Sequence, residues 1–345
     1  MDGCLSHQGS LPFLPSSRRN SARRNGVDSL LLPSRRKFRY DSMVVVAAAG
    51  PGAGASIDAP LAPRSAQGRF LNCVLLKKRQ LFHFAAADLL KQLADDKEAA
   101  LSRMFLSSGS DEASLHRRIA QLKESNCQTA IEDIMYMLIL YKFSEIRVPL
   151  VPKLTSCIYN GRLEIWPSKD WELESIHSCD VLELIKEHSN AVISLRVNSA
   201  LTDNLETTEI GKHQLSKVYT ASILYGYFLK SASLRHQLEC SLAEHHGSFT
   251  KQLRHYITGF DPKILQRCAK PRSREAKNLI EKQSLALFGP NENEESVVTS
   301  ISSLKRLLLE AVAFGTFLWD TEEYVDGAFK LMENENAEEE ENSSV

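Results

Sequence analysis

The chain has 345 residues, of which 43% are hydrophobic and 25% are charged, values that are ordinary for a soluble globular protein. The net charge is −1, and residues 48–332 are neutral, because the basic excess lies in residues 1–47 and an acidic excess lies in residues 333–345. A neutral body argues against nonspecific binding to nucleic acid or to a membrane surface. Seven cysteines at irregular spacing, without a Cys-x-x-Cys pair, exclude a disulfide scaffold, and we expect no membrane span.

Residues 1–47 have the composition of an organelle transit peptide. They are rich in Ser and Arg, with eight Lys/Arg against three Asp/Glu, and they lack the apolar core of a secretory signal. The run VVVAAAG at 44–50 resembles the Val-x-Ala site at which chloroplast presequences are cut. We therefore predict a chloroplast transit peptide and a location in the stroma, with a mitochondrial presequence or a disordered cytosolic tail as alternatives.

Residues 48–68 are rich in Gly, Ala and Pro, and we predict that they form a flexible spacer. From Leu71 onward, the apolar spacing near 3.6 residues predicts a mainly α protein. The predicted helices cover 71–105, 111–125, 128–144, 170–190, 208–246, 249–268, 272–287, 297–318 and 321–332. The Glu-rich segment 333–345 contains six glutamates and no cation, and we expect an acidic disordered tail.

A single β-hairpin is predicted at about 155–166. The dipeptide Asn160-Gly161 lies between two short β-prone runs, which is the strongest short-range hairpin signal. Because an isolated two-stranded hairpin is only marginally stable, we interpret it as a small insertion on the helical body.

Two segments of the chain repeat each other. YTASILYGYFLK, which begins at Tyr219, and LLEAVAFGTFLW, which begins at Leu308, superpose with an offset of 89 residues that places Gly226 on Gly315. Upstream, LIKEHSNAV from Leu184 matches LIEKQSLAL from Leu279 with an offset of 95. A weaker match sets residues 89–103 against 253–267. We predict a helical bundle of two diverged repeats, 69–246 with the hairpin insertion and 247–332.

The two glycines predict close packing between helices. A glycine inside a helix destabilises it by about 1 kcal/mol relative to alanine, so two glycines at equivalent positions require a structural reason. Ser222 with Gly226, and Ala311 with Gly315, place two small residues four apart on an apolar face. We expect these helices to pack on each other, or on equivalent partners, about a pseudo-twofold axis.

The segment GYFLKSASLRHQLE (226–239), its echo FGTFLWDTEEYVDGAF (314–329) and the plastid-type leader resemble the UV-B-induced chloroplast protein family. The resemblance covers nearly the whole mature chain, and in the second copy Thr316 replaces the tyrosine of the motif. It implies a helical, soluble plastid protein associated with light or UV stress. It supplies no catalytic residues and no cofactor.

Few residues form patterns typical of chemistry. The densest set of metal-ligand types is His236, Cys240, His245 and His246, of which His236 and Cys240 share a helical face. A surface helix end explains the set more simply, so we predict no metal and no cofactor. One Glu-x-x-His pair, Glu174 with His177, is half of what a di-metal bundle requires. Cys179 lies too close in sequence to His177 to face it as a nucleophile.

Three short basic runs occur, at 77–79, 117–118 and 270–274. They lack the interleaved aromatic residues that stack on bases, so we interpret them as solvated faces and do not expect nucleic acid as a partner. Aromatic residues on helices more often form core than bind a cofactor, and we interpret five of them as core: Tyr225, Tyr227, Phe314, Phe317 and Trp319.

The sequence favours a noncatalytic interaction or regulatory protein of the stroma, with a protein partner or a second copy of itself. No phosphate-binding loop, nucleophile elbow or metalloprotease motif occurs, although the sequence does not decide whether the protein is an enzyme. Two alternatives remain open: an enzyme or pigment or cofactor carrier that uses a cleft between the repeats, and an RNA-binding factor.

Overall fold

A computed structural model of the chain describes residues 59–107, 109, 111–197, 207–243, 252–290 and 296–334. The predicted transit peptide and all of the predicted tail beyond Asn334 lie outside these residues. The fold is mainly α, as predicted, with a small four-stranded sheet. Within the described ranges, no helix combines the length and the apolar composition that crossing a lipid bilayer requires.

The first helix begins inside the segment that was predicted as spacer. Helix α1 spans Ala66–Lys77, and the hydroxyl of Ser65 caps it by accepting a hydrogen bond from the Gly68 N–H at 3.0 Å. Asp133 Oδ2 accepts hydrogen bonds from the N–H groups of Arg64 (2.8 Å) and Ser65 (2.5 Å). This carboxylate fixes the approach to α1, so residues immediately before the helix are held against the body.

Two long helices follow α1 after a short 3-10 turn. They are α2 (Phe82–Leu106) and α3 (Ala113–Glu145), which pack on each other. The sequence predicts a break between 125 and 128, but α3 continues through it. Cys127 and Ala130 are buried there, so the helix retains a core face at the predicted break.

The predicted hairpin is part of a larger sheet. Strands β1 (Ile158–Tyr159) and β2 (Arg162–Leu163) pair antiparallel, and β2 also pairs in parallel with β4 (Ser296–Ser300). Strand β3 (Thr207–Gly211) pairs antiparallel with β4 and completes the order β1-β2-β4-β3. The predicted hairpin is present, and the pairing of β2 with β4 joins it to two strands that the sequence did not predict.

Strands β3 and β4 replace the first residues of two predicted helices, 208–246 and 297–318. In each strand every second residue is buried, Thr208 and Ile210 in β3 and Val297 and Thr299 in β4. Each strand runs without a turn into a long helix. The helical periodicity that follows therefore masks the two-residue period of these short strands.

The long helices after β3 and β4 are α7 (Lys212–Ala243) and α11 (Ile301–Ala328). Helix α11 continues through the break predicted near 318–321. The predicted helices 170–190 and 249–268 are each divided in two, whereas 272–287 corresponds to one helix. The remaining helices are α4 (Leu154–Cys157), α5 (Asp170–Glu174), α6 (Cys179–Val197), α8 (Leu253–Thr258), α9 (Pro262–Ala269) and α10 (Arg274–Phe288).

Helices α7 and α11 touch through their backbones at the two glycines. A Cβ atom added at Gly226 would lie 2.0 Å from the carbonyl oxygen of Val312, and one at Gly315 would lie 1.9 Å from that of Ile223. Val312 follows Ile223 by 89 residues, as Gly315 follows Gly226, so the two contacts are equivalent. Ser222 and Ala311 are both fully buried. The arrangement has the geometry of a local twofold axis between the helices.

The same relation extends to the sheet. Strands β3 and β4 are also 89 residues apart, and their central pair, Glu209 with Val298, joins two equivalent positions. The helix before each strand packs on the long helix of the other half, α6 on α11 and α10 on α7. A duplicated helix–strand–helix unit would produce these relations, whereas the repeat boundaries 69–246 and 247–332 stay a prediction.

We expect Gly226→Ala and Gly315→Ala to lower the free energy of unfolding by about 1–3 kcal/mol each, because the new methyl group overlaps a backbone carbonyl that cannot move aside. Gly327→Ala, on the exposed face of α11 with nothing within 4 Å of its Cβ position, is the matched control. It should leave the protein equally stable or stabilise it by up to about 1 kcal/mol. Urea unfolding followed by circular dichroism measures all three, and equal stability of the three variants would contradict the backbone contact.

Candidate functional site

An open groove of about 820 Å³ lies on the described part of the chain. We call it the basic groove. It lies between the C-terminal parts of α7 and α11, the end of α9 with the chain that follows it, and residues 333–334. Its lining residues are Ser231, Leu234, Arg235, Leu238, Gln266, Arg267, Cys268, Lys270, Pro271, Arg272, Trp319, Glu323, Glu333 and Asn334.

Four cationic and two acidic side chains line the basic groove. Arg235 pairs with Glu239 at 2.9 Å, and Arg272 pairs with Glu323 at 2.8 Å. Arg267 and Lys270 are exposed, and the described part of the chain provides no ion-pair partner for either of them. The groove therefore offers two cations whose charge is not neutralised by a neighbouring carboxylate.

Trp319 is the aromatic wall of the basic groove. The guanidinium of Arg272 lies 5.2 Å from the centre of the indole ring, and the ammonium of Lys230 lies 6.0 Å from it. Lys230 is also paired with Asp320 at 3.0 Å. A cation within about 6 Å of an indole face is attracted by the ring electrons, so these contacts hold the indole at the groove wall.

One wall of the groove is fixed by Glu322, which is 1% exposed. Its Oε1 accepts hydrogen bonds from the N–H (2.6 Å) and the hydroxyl (2.5 Å) of Ser273, and its Oε2 accepts one from the hydroxyl of Tyr227 at 2.5 Å. Arg272 Nε lies 3.4 Å from the same Oε2. Helix α11 is thereby tied to α7 and to the start of α10.

The electrostatics of this network agree with a structural role. Burial, and then the negative charge of Glu322, raise the pKa of Tyr227 well above its usual value, so the phenol stays protonated and donates its hydrogen bond. The Arg272 N–H donates in turn to the phenol oxygen at 3.3 Å. These contacts fix the backbone of residues 272–273 and leave the outer side chains of the groove accessible.

A second buried carboxylate holds a different part of the core together. Glu310, on α11, is fully buried and accepts a hydrogen bond from the Val151 N–H at 2.9 Å. Arg306 lies 2.9 Å from Glu310, and its Nη2 donates to the Pro149 carbonyl at 2.8 Å. Burial raises the pKa of Glu310, whereas Arg306 opposes that shift. The pair fastens the chain after α3 to α11, away from the basic groove.

The metal-ligand candidates are only partly described. His236 Nε2 lies 3.5 Å from Cys240 Sγ on α7, and His245 and His246 fall outside the described residues. The His236 ring packs 4.9 Å from the ring of Tyr256. In the part of the chain that the structure describes, no three His, Cys, Asp or Glu side chains are grouped so that they could hold a metal ion.

The other chemical candidates from the sequence lie at the end of α5 and the start of α6. Glu174 lies 3.1 Å from the ammonium of Lys305, and Cys179 is exposed at the start of α6. Burial, with a smaller contribution from the charge of Lys230, lowers the pKa of His177 to about 4. The imidazole is therefore neutral at physiological pH.

Sequence reasoning missed the basic groove. The run KPRSR at 270–274 was interpreted as a solvated face and Trp319 as core, and the residues of α7 that share the groove with them lie 32 or more residues away in the chain. The available signal was a basic run opposite in sign to the acidic segment 333–345. What the sequence did not provide is the fold that places the basic run beside Glu333 and Asn334, the first two residues of that segment.

We expect Glu322→Ala to lower the free energy of unfolding by about 3 kcal/mol, since it leaves the buried Ser273 N–H and the Tyr227 hydroxyl without their acceptor. Tyr227→Phe should lower it by about 1–2 kcal/mol. The neighbouring Glu323→Ala is the control, because that side chain is 58% exposed and should change stability by less than about 1 kcal/mol. Thermal unfolding of the three variants tests this order, and a Glu322→Ala protein as stable as Glu323→Ala would contradict it.

Comparison with known proteins places this architecture in a family. Residues 114–242 match the model of a protein family of unknown function, DUF760, which here runs from α3 almost to the end of α7. The chain is 32% identical to a UV-B-induced chloroplastic protein of Arabidopsis thaliana, over 92% of this chain and 89% of the relative. No solved structure matches. With this identity over nearly its whole length, the chain belongs to the family of UV-B-induced chloroplastic proteins.

Proposed function

We propose that this protein is a noncatalytic interaction protein of the chloroplast stroma that acts in the response to UV-B light, and that the basic groove binds its protein partner. The name of the Arabidopsis relative and the composition of residues 1–47 support the location and the stress association. The observation that carries the binding site is the combination of exposed apolar surface and unneutralised cations in one groove.

The chemistry of the groove is that of a protein interface. Leu238 is 67% exposed, and it lines the same groove as Trp319, Arg267 and Lys270. Tryptophan and arginine are enriched among the residues that dominate binding energy at interfaces. A partner that covers Leu238 and Trp319 would gain from apolar burial, and an acidic group on it would gain from the cations.

The geometry is less favourable for the other two functions. A carrier or enzyme that uses the centre of the α7–α11 interface as its cleft needs space there, but at Gly226 and Gly315 the two backbones are in contact. An RNA-binding surface needs several aromatic rings along a basic path, and the basic groove is lined by one, Trp319.

A photo-crosslinker placed at Leu238 tests the proposal, with the crosslinker at Leu115 as the matched control. Leu115 is also exposed, at 57%, but lies on α3 outside the groove. We expect the Leu238 probe to capture from stroma a protein that the Leu115 probe does not capture. The captured protein, once identified and purified, should bind the Leu238→Glu variant at least about tenfold more weakly than the wild type and should bind Leu115→Glu normally.

Equal capture from both positions, or unchanged affinity for Leu238→Glu, would show that the groove is not the binding surface. Turnover of a substrate by the purified protein would contradict the noncatalytic function. Salt-sensitive binding of a labelled single-stranded RNA, lost on the double substitution Arg267→Glu and Lys270→Glu, would favour the RNA-binding function instead.

A further inference from the structure

The residues that follow α11 lead to the basic groove. After α11, the backbone pairs with the segment that precedes α10. The Arg274 N–H donates to the Met332 carbonyl at 2.9 Å, and the Asn334 N–H donates to the Arg272 carbonyl at 3.0 Å. Ser273 and Glu333 form an antiparallel bridge between these two hydrogen bonds. Glu333 and Asn334 consequently line the groove.

The sequence that follows Asn334 is opposite in charge to the groove. Residues 335–345, ENAEEEENSSV, contain five glutamates and no cation. The groove has four cationic side chains against two acidic ones, and Arg267 and Lys270 are the two whose charge is not neutralised by a carboxylate of the described chain. Oppositely charged surfaces in such proximity attract one another before any partner arrives.

The acidic segment follows directly on a residue of the groove wall and is long enough to extend along the groove. An extended chain advances at most about 3.3–3.6 Å per residue, so the seven residues 335–341 span up to roughly 25 Å. They start from Asn334, which is already on the groove wall. The segment can therefore pass Lys270 and Arg267 without any rearrangement of the helices.

We propose that the acidic segment 335–341 folds back into the basic groove and occupies it as an intramolecular ligand. The inference rests on the proposed function and deepens it, because it identifies the class of partner: an acidic peptide segment that competes with the tail of this chain for Arg267 and Lys270. A partner can then bind in the groove only when the tail is displaced.

Because the tail belongs to the same chain as the groove, it binds there more readily than a free peptide of the same sequence. A segment joined to its site by a few residues has an effective concentration of order millimolar, so even weak binding in isolation leads to high occupancy. The contacts are charge pairs at an exposed surface, and salt screens such pairs within a Debye length of about 8 Å at physiological ionic strength. Occupancy by the tail should therefore fall as ionic strength rises.

The test compares the full chain with a chain that ends at Asn334, using a fluorescein-labelled peptide of residues 333–345 as the probe. The truncated chain should bind the peptide, and raising NaCl from about 0.1 to 0.5 M should weaken that binding. The full chain should bind it at least about tenfold more weakly, because its own tail competes. A peptide in which glutamine replaces every glutamate should bind to neither chain.

Matched substitutions assign the site. Arg267→Glu with Lys270→Glu in the truncated chain should abolish peptide binding, whereas Arg117→Glu with Arg118→Glu, two exposed cations on α3, should leave it unchanged. Trp319 gives an independent readout, since the other two tryptophans, Trp166 and Trp171, are 89% and 81% exposed and can be replaced by phenylalanine. In that background, truncation at Asn334 should change the Trp319 emission of the full chain at low salt but not at high salt.

Equal affinity of the full and truncated chains for the peptide would overturn the occupation of the groove by the tail. Failure of the truncated chain to bind the peptide would overturn the acidic class of ligand. Either result would leave the crosslinking test at Leu238 unaffected, so the proposed function could still hold. Sedimentation equilibrium distinguishes binding within one chain from binding between chains. Dimerisation that depends on the tail, together with a diluted monomer whose Trp319 emission does not depend on the tail, would overturn the intramolecular form.

Discussion

The contact between the backbones of α7 and α11 determines the arrangement of most other elements. Gly226 and Gly315 remove the side chains that would separate the two helices, and each helix then lies against a carbonyl oxygen of the other. Strands β3 and β4 lead directly into these helices, so their antiparallel pairing is compatible with the same local twofold relation. Farther along, toward their C-terminal parts, both helices line the basic groove. The close backbone contact and the open groove therefore belong to the same pair of helices.

Buried carboxylates connect this pair to the rest of the molecule. Glu310 fastens the chain after α3, and Glu322 fastens the start of α10. Neither residue has an equivalent in the other half, since the positions 89 residues earlier are Ala221 and Ser233. The symmetric contacts lie in the apolar centre, and the asymmetric ones lie where the two halves meet different neighbours. The basic groove accordingly lies where α7 and α11 meet unlike neighbours, at their C-terminal parts.

The sequence was informative for features that are indicated by residues within a single helix. Two glycines at equivalent places in apolar helices indicated close packing of the helices, and the described geometry at Gly226 and Gly315 is one of backbone contact. Strand β3 was missed because its five residues are stabilised by pairing with β4, which is 89 residues away, rather than by their own neighbours. The groove was missed for the same reason. Arg267, Lys270 and Trp319 become one surface only after the chain has folded, and no periodicity within a single element records that.

The exchange of partners between the halves, with α6 on α11 and α10 on α7, has a consequence for how the chain acquires its structure. The helix before each strand packs more on the long helix of the other half than on that of its own half. Val151 also meets Glu310 across 159 residues of sequence. Contacts of such long range raise the contact order, which slows folding. Because α11 emerges last from the ribosome among the described helices, α6 stays without its main partner throughout synthesis. A chaperone that shields α6 until α11 arrives would protect this protein at the stage where aggregation competes with folding.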